Sequence, residues 1–280
     1  MINVILNTFL ESISISLLVM LMMIIVDLIN VRSKGKLQSI LKESKKWKQY
    51  IIGSLLGTTP GCVGSFAGVS LYMHGIISYG TIAGLMIATS GDEAFVMLAM
   101  FPKTAIILFA ILFILGVFSG KLIDYLVLKF NIPISDDCKT EQLHKDEKSY
   151  KHYLKEHIWH HIIKEHVWKI FLWTFGALLV IEFSTNYLNL SSLTNEYIWI
   201  VLLLSILIGI IPDSGPHLIF VSLFSQGLIP FSILLSSSIV QDGHGLLPML
   251  SFSVKDTITI KLFNVAIGLI IGSIMLLLGF

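Results

Sequence analysis

The sequence predicts an all-α polytopic membrane protein built from two inverted-topology repeats, with broken or re-entrant helices at the bilayer midplane. Three observations carry this: a membrane-like composition, a self-similarity at a fixed offset, and opposite charge in the loops that the offset makes equivalent. Of 280 residues, 55% are hydrophobic and 13% charged, with a mean hydropathy of +0.84, which no water-soluble domain of this size could tolerate on its surface. The charges are segregated, mainly into residues 32–48 and 131–169, and a net charge of +1 gives no footing for nucleic acid.

A helical crossing needs roughly 20 apolar residues. In the first half such stretches run over residues 4–30, 50–75, 76–101 and 105–130, and in the second over 167–183, 197–227, 228–252 and 257–280. The first has no basic leader and no small-residue cleavage site after it, so it reads as a retained span. Residues 1–130 form the first repeat, 131–166 a His-rich linker and 167–280 the second repeat. A shift of 152 residues brings Gly57 onto Gly209, Pro60 onto Pro212, Val69-Ser70-Leu71 onto Val221-Ser222-Leu223, Gly75 onto Gly227, Gly91 onto Gly243 and Lys103 onto Lys255. Residues 57–104 give 12 identities in 48 positions without a gap. Chance would give roughly 5 for so biased a composition, which favours duplication. Gly116 and Gly120 coincide with Gly268 and Gly272 at the spacing that lets membrane helices approach closely, and these faces are candidates for a homodimer.

Charge sets the orientation. The loop after the first span carries Arg32, Lys34, Lys36, Lys42, Lys45, Lys46 and Lys48, whereas its counterpart, residues 184–196, has no basic residue. The positive-inside rule places the first loop in the cytoplasm and the second outside, so the repeats are inverted and each crosses an odd number of times. The linker, with six Lys, is then cytoplasmic and both termini are outside, in a cell membrane. Four apolar stretches per half is an even number, so one of them is not a simple span. Three crossings with a re-entrant segment fit the length, and five short crossings per half is the alternative.

Helix breakers mark where the chain departs from simple spans. Thr58-Thr59-Pro60-Gly61-Cys62-Val63-Gly64 interrupts the second stretch, and Pro212-Asp213-Ser214-Gly215-Pro216 its counterpart. Ser90-Gly91-Asp92-Glu93 interrupts the third, matched by Gln241-Asp242-Gly243-His244-Gly245. Backbone freed by Gly and Pro is tolerated at membrane depth only where protein or a water-filled cavity covers it. Asp92, Glu93, Asp213, His217, Asp242 and His244 lie in these breaks with Cys62 and Ser65 beside them, and no Lys or Arg falls within the same breaks. One Asp at a helix centre costs about 2.5–3.5 kcal/mol on insertion scales, so uncompensated acids here call for a cation. Mixed carboxylate and imidazole donors suit first-row divalent ions such as Mn, Fe or Zn, whereas Mg or Ca would use oxygen alone. The metal is expected as cargo and no resident cofactor is required. A carboxylate or imidazole at the midplane can also exchange a proton for the metal it releases, which makes proton coupling an expectation. The plainer alternative is that Asp92, Asp213 and Asp242 only cap free helix ends. Lys103 and Lys255 are expected to snorkel at the interface, and His74 to be interfacial.

Six of the nine His lie between positions 144 and 166. In a helix, His152, Glu156 and His160 would form one stripe and His157, His161 and Glu165 another, at spacings that can share a metal near the cytoplasmic mouth. The alternative is a solvated helix with Trp159 and Trp168 at the headgroups. Cys62 and Cys138 are the only cysteines, too few for a disulfide framework or a thiolate cage.

Pro60-Gly-Cys-Val-Gly64 and Ser90-Gly-Asp-Glu93, echoed by Pro212-Asp-Ser-Gly-Pro216 and Asp242-Gly-His244 and joined by the His-rich linker, resemble the ten-span heavy-metal exporter family over nearly the whole chain. Members carry labels such as manganese transporter or arsenic efflux protein, and the resemblance implies export of a metal or metalloid from the cytoplasm. The residues themselves point to a secondary transporter of a divalent transition metal, with arsenical efflux as the second reading, although trivalent arsenic favours several thiolates and this membrane domain offers Cys62. Two other classes compete. A channel could also use acid rings and irregular backbone. An intramembrane metalloprotease would need His-Glu-x-x-His, which is absent, and no enzyme activity is expected.

Overall fold

A computed structural model describes residues 46–73, 75–134 and 196–280, with scattered helical residues of 5–21 and 168–179. The linker beyond residue 134, with His152, His157, His160, His161 and Glu165, lies outside the described residues, as do His74, the basic loop up to Lys45 and the side chain of His244. The described residues are helical and contain no strand.

The first half supplies α1 (Lys46–Gly57), α2 (Val63–Met73), α3 (Tyr79–Ala88), α4 (Glu93–Met100) and α5 (Pro102–Lys129). The second supplies α6 (Ile198–Gly209), α7 (Leu218–Ser225), α8 (Phe231–Val240), a 3-10 turn at Gly243–Gly245, α9 (Leu246–Phe252) and α10 (Val254–Leu277). Both ends of α3 recur 152 residues later in α8, and so do the C-terminal ends of α1, α2 and α4 and the start of α5. The backbone conformations recur too: Gly75 and Gly227 have φ of 65° and 70°.

Among the described residues, three stretches are long and apolar enough to cross a bilayer: Tyr79–Met100, which includes the interruption after Ala88, Pro102–Lys129 and Val254–Leu277. With α2, α6 and α8 as shorter apolar helices, the chain is a multi-pass membrane protein. At 1.5 Å per residue, a ten-residue helix such as α3 covers only about half the hydrocarbon. Any helix end at such a depth must find partners in the protein for its unpaired terminal groups.

Helix α3 is buried on every side, and α8 on all but its first residue, so these two are central. Helix α5 wraps α3 and α10 wraps α8, each turning an apolar face outward: Ile106, Ile114 and Phe118 on α5, Leu262, Ile270 and Ile274 on α10. Water would not tolerate those faces, whereas lipid accepts them. Helix α3 is capped by the Ser78 hydroxyl, which accepts from Thr81 N at 3.2 Å, and α5 starts with Pro102 at its first turn, where a missing N–H costs nothing.

Gly80 and Gly84 of α3 lie against the carbonyls of Gly120 and Gly116 of α5, and Gly268 and Gly272 of α10 lie against Ser236 of α8. The small-residue motifs thus serve close crossings within the chain. That corrects the expectation that these glycine faces are free for a homodimer, since each is filled by the chain's own central helix. Lys103 and Lys255 are exposed in the first turns of α5 and α10, as expected of residues at the edge of a span.

Candidate functional site

All four interruptions meet at one place. The N–H of Gly61, in the turn between α1 and α2, donates to the carbonyl of Gly91, between α3 and α4, at 3.0 Å. Gln241, where α8 ends, donates from Nε2 to the carbonyl of Thr89, where α3 ends, at 3.1 Å, and its Oε1 accepts from Gly243 N at 2.9 Å. Gly91 and Gly243 face each other so closely that a Cβ on Gly91 would lie 3.5 Å from Gly243 Cα and 2.7 Å from Ser214 Oγ. Both glycines have positive φ, 54° and 52°, a region in which a side chain is strained.

Around this junction the polar groups are buried. Asp92, Glu93, Ser90, Ser214, Gln241 and Asp242 are each at most 4% exposed. Asp92 occupies the N-cap position of α4 but makes no capping bond with its side chain. Its Oδ1 instead accepts from the Cys62 thiol at 3.3 Å, so Asp92 is not there merely to close a helix end. Glu93 Oε2, Ser90 Oγ and Ser214 Oγ have no hydrogen-bond partner among the described residues, an arrangement that burial penalises unless something else is bound there.

Asp242 differs. Its carboxylate forms an ion pair with Lys261 of α10 and accepts a hydrogen bond from Asn264 Nδ2 at 2.7 Å. The expectation that every acid in the breaks is uncompensated is therefore corrected: no cation lies in the breaks by sequence, but α10 carries one into contact with Asp242. Sequence reasoning missed Lys261 and Asn264, although a Lys and an Asn three residues apart inside a long apolar helix are themselves a signal.

Of the remaining candidates, Asp213 is half-buried and its Oδ1 accepts from Gly215 N at 2.9 Å, a local turn bond. His217 is buried, with Nδ1 3.1 Å from Ser237 Oγ and no hydrogen bond to Nε2 among the described residues. Thr58 and Thr59 turn back to the Leu55 and Leu56 carbonyls at 2.9 and 2.5 Å, closing the end of α1. Gly64 is packed against the Leu56 carbonyl, leaving no room for a side chain. Among the described residues, no three His, Cys, Asp or Glu side chains stand close enough together to hold a metal ion.

The sequence matches the family described as "Putative, 10TM heavy-metal exporter" over residues 1–181 and 170–278. The chain belongs to that family. No curated protein and no solved structure matches it. In a family so described, transport is the function to be explained.

Proposed function

We propose that the chain is a secondary transporter that exports a divalent transition metal, with Asp92, Glu93 and Cys62 drawing together around the cargo as it enters. One observation carries this reading: a buried acid pair at the meeting point of the interrupted helices, with a thiol on Asp92 and an unpartnered oxygen on Glu93. Buried carboxylate oxygen without a countercharge is costly in a bilayer, and a cation removes that cost. Oxygen and sulfur donors together suit ions of the Mn, Fe or Zn class. Asp242, already neutralised, supports the site from across the Gly91 and Gly243 contact. Proton exchange on Asp92 or Glu93 would couple export to the proton gradient.

Two inverted repeats are the architecture that best accommodates these features. The recurrence of helix ends at one offset supports duplication, and the contacts are reciprocal: α4 packs on α7 while α9 packs on α2. Reciprocal contacts, with Gly91 touching its own counterpart Gly243, are the signature of a two-fold relation. The charge asymmetry between loops 32–48 and 184–196 supports an axis in the membrane plane, with the linker cytoplasmic, the termini outside and the protein in the cell membrane. Single cysteines placed at positions 34 and 190 of a cysteine-free variant should label from opposite sides; labelling from the same side would remove the inversion.

The test of the site is flux in reconstituted vesicles. Asp92→Asn and Glu93→Gln should each abolish Mn, Fe or Zn movement in protein that still inserts, and normal flux in both would remove the proposal. The Cys62 thiol on Asp92 favours a second reading, arsenical export, because trivalent arsenic seeks sulfur. Cys62→Ser separates them: arsenical flux that this variant abolishes, in a protein that moves no Mn, Fe or Zn even as wild type, would favour the metalloid.

A further inference from the structure

The ammonium of Lys261, about two turns into α10, is buried, with the residue 7% exposed. Three oxygens surround it: the Asp242 carboxylate, the Val240 carbonyl at 2.8 Å and the Gly209 carbonyl at 2.9 Å. Gly209 and Val240 are the last residues of α6 and α8, so both carbonyls are helix-terminal groups carrying the negative end of a helix dipole. Asn264 holds the other carboxylate oxygen of Asp242 at 2.7 Å. An acid and two helix-terminal carbonyls converging on one point, where helices break inside the membrane, is how membrane transporters coordinate small cations. Here the point is filled by the chain itself, and all three ammonium hydrogens have an oxygen to meet.

Neutralising Asp242 would require only the carboxylate contact. The two carbonyls add no counter-charge of their own kind to satisfy; they complete an oxygen cage. The offset of 152 residues puts Phe109 where Lys261 would have its counterpart, so the lysine belongs to the second half alone. We propose that Asp242 and the Gly209 and Val240 carbonyls form an alkali-cation site that Lys261 occupies as a tethered co-ion. The site goes beyond the cargo reading above and stands whichever metal or metalloid is exported.

Removing the ammonium should leave a vacancy of the right charge for an inorganic ion. The experiment is thermal unfolding of the purified full chain in detergent, titrated with NaCl or KCl against choline chloride at matched ionic strength. The wild type should show no difference between these salts. Lys261→Ala should melt lower in choline and regain stability saturably with Na or K, and the better of the two reports the size of the cage. Lys261→Gln retains a donor for the carbonyls without the charge and should show the same rescue in weaker form. Adding Asp242→Asn to Lys261→Ala should abolish the rescue. A folded Lys261→Ala or Lys261→Gln protein that melts alike in all three salts overturns the assignment, as does a rescue that survives Asp242→Asn.

Discussion

The two central interruptions share a backbone and differ in chemistry. Thr89 and Gln241 leave α3 and α8 with φ/ψ of −80°/133° and −73°/137°, and Gly91 and Gly243 then turn with φ of 54° and 52°. After the second helix, the acid precedes the glycine, as Asp242, and meets Lys261 and Asn264. After the first, the acids follow the glycine, as Asp92 and Glu93, and the α5 positions that the offset equates with Lys261 and Asn264 are Phe109 and Leu112. Geometry has been kept on both sides, while the lysine of α10 has no counterpart at the equated position of α5. On the first side Glu93 Oε2 has no hydrogen-bond partner among the described residues, and on the second Asp242 is paired with Lys261.

The sharpest way to break this contrast is to neutralise one acid on each side. Asp242→Asn leaves the Lys261 ammonium buried without its countercharge, which should cost on the order of 3–5 kcal/mol. Asp92→Asn keeps an amide oxygen in place of the one that meets the Cys62 thiol, and should change stability by about 1 kcal/mol or less while abolishing flux. Reversible unfolding in mixed micelles measures the first and vesicle flux the second. Equal stability losses would mean that the two sides are not different in kind.

The shared backbone is tested by its glycines. Gly91→Ala and Gly243→Ala each force a side chain into the left-handed region and toward Ser214 and the opposing glycine. Each should cost on the order of 1–3 kcal/mol, with similar values because the φ angles match. Since the two residues touch, the double variant should deviate from additivity. A large cost at one and none at the other would break the equivalence of the two turns.

What the sequence revealed, and what it hid, follows the same division. Breaker residues and their spacing located all four interruptions, because Gly and Pro act locally and leave a local mark: Gly61, Gly91, Ser214 and Gly243 do converge. The partners of the acids were not legible in the same way. Lys261 meets Asp242 only because α10 packs along α8, and nothing in residues 241–245 announces it. The glycine pairs of α5 and α10 were recognised as close-packing faces, but whether they meet another chain or the same one depends on tertiary placement. Asp124 shows the same limit: it sits in an apolar helix, and its partners, the Tyr50 hydroxyl at 2.7 Å and Gly80 N at 2.6 Å, come from two distant segments.

A smaller effect extends the comparison to the aromatic pairs that the offset relates. Tyr72 and Tyr79 lie edge to face with centroids 6.1 Å apart, and Phe224 and Phe231 repeat the arrangement at 6.2 Å. The tyrosine pair reaches α10: the Tyr72 hydroxyl donates to Asp256 Oδ2 at 3.0 Å and the Tyr79 hydroxyl to the Asp256 carbonyl at 3.2 Å. The phenylalanine pair reaches the start of α5 through Phe101, with Phe224 and Phe101 centroids 5.0 Å apart. Because Phe224 shows that a phenyl ring suits this packing, Tyr72→Phe should leave the ring geometry intact and lose only the hydrogen bond, about 1 kcal/mol. Unfolding of Tyr72→Phe in an Asp256→Asn background measures the coupling of the pair. A loss as large as that of Asp242→Asn would show that the polar contact at Asp256, and not the ion pair at Lys261, is the principal electrostatic tie between α10 and the rest of the chain.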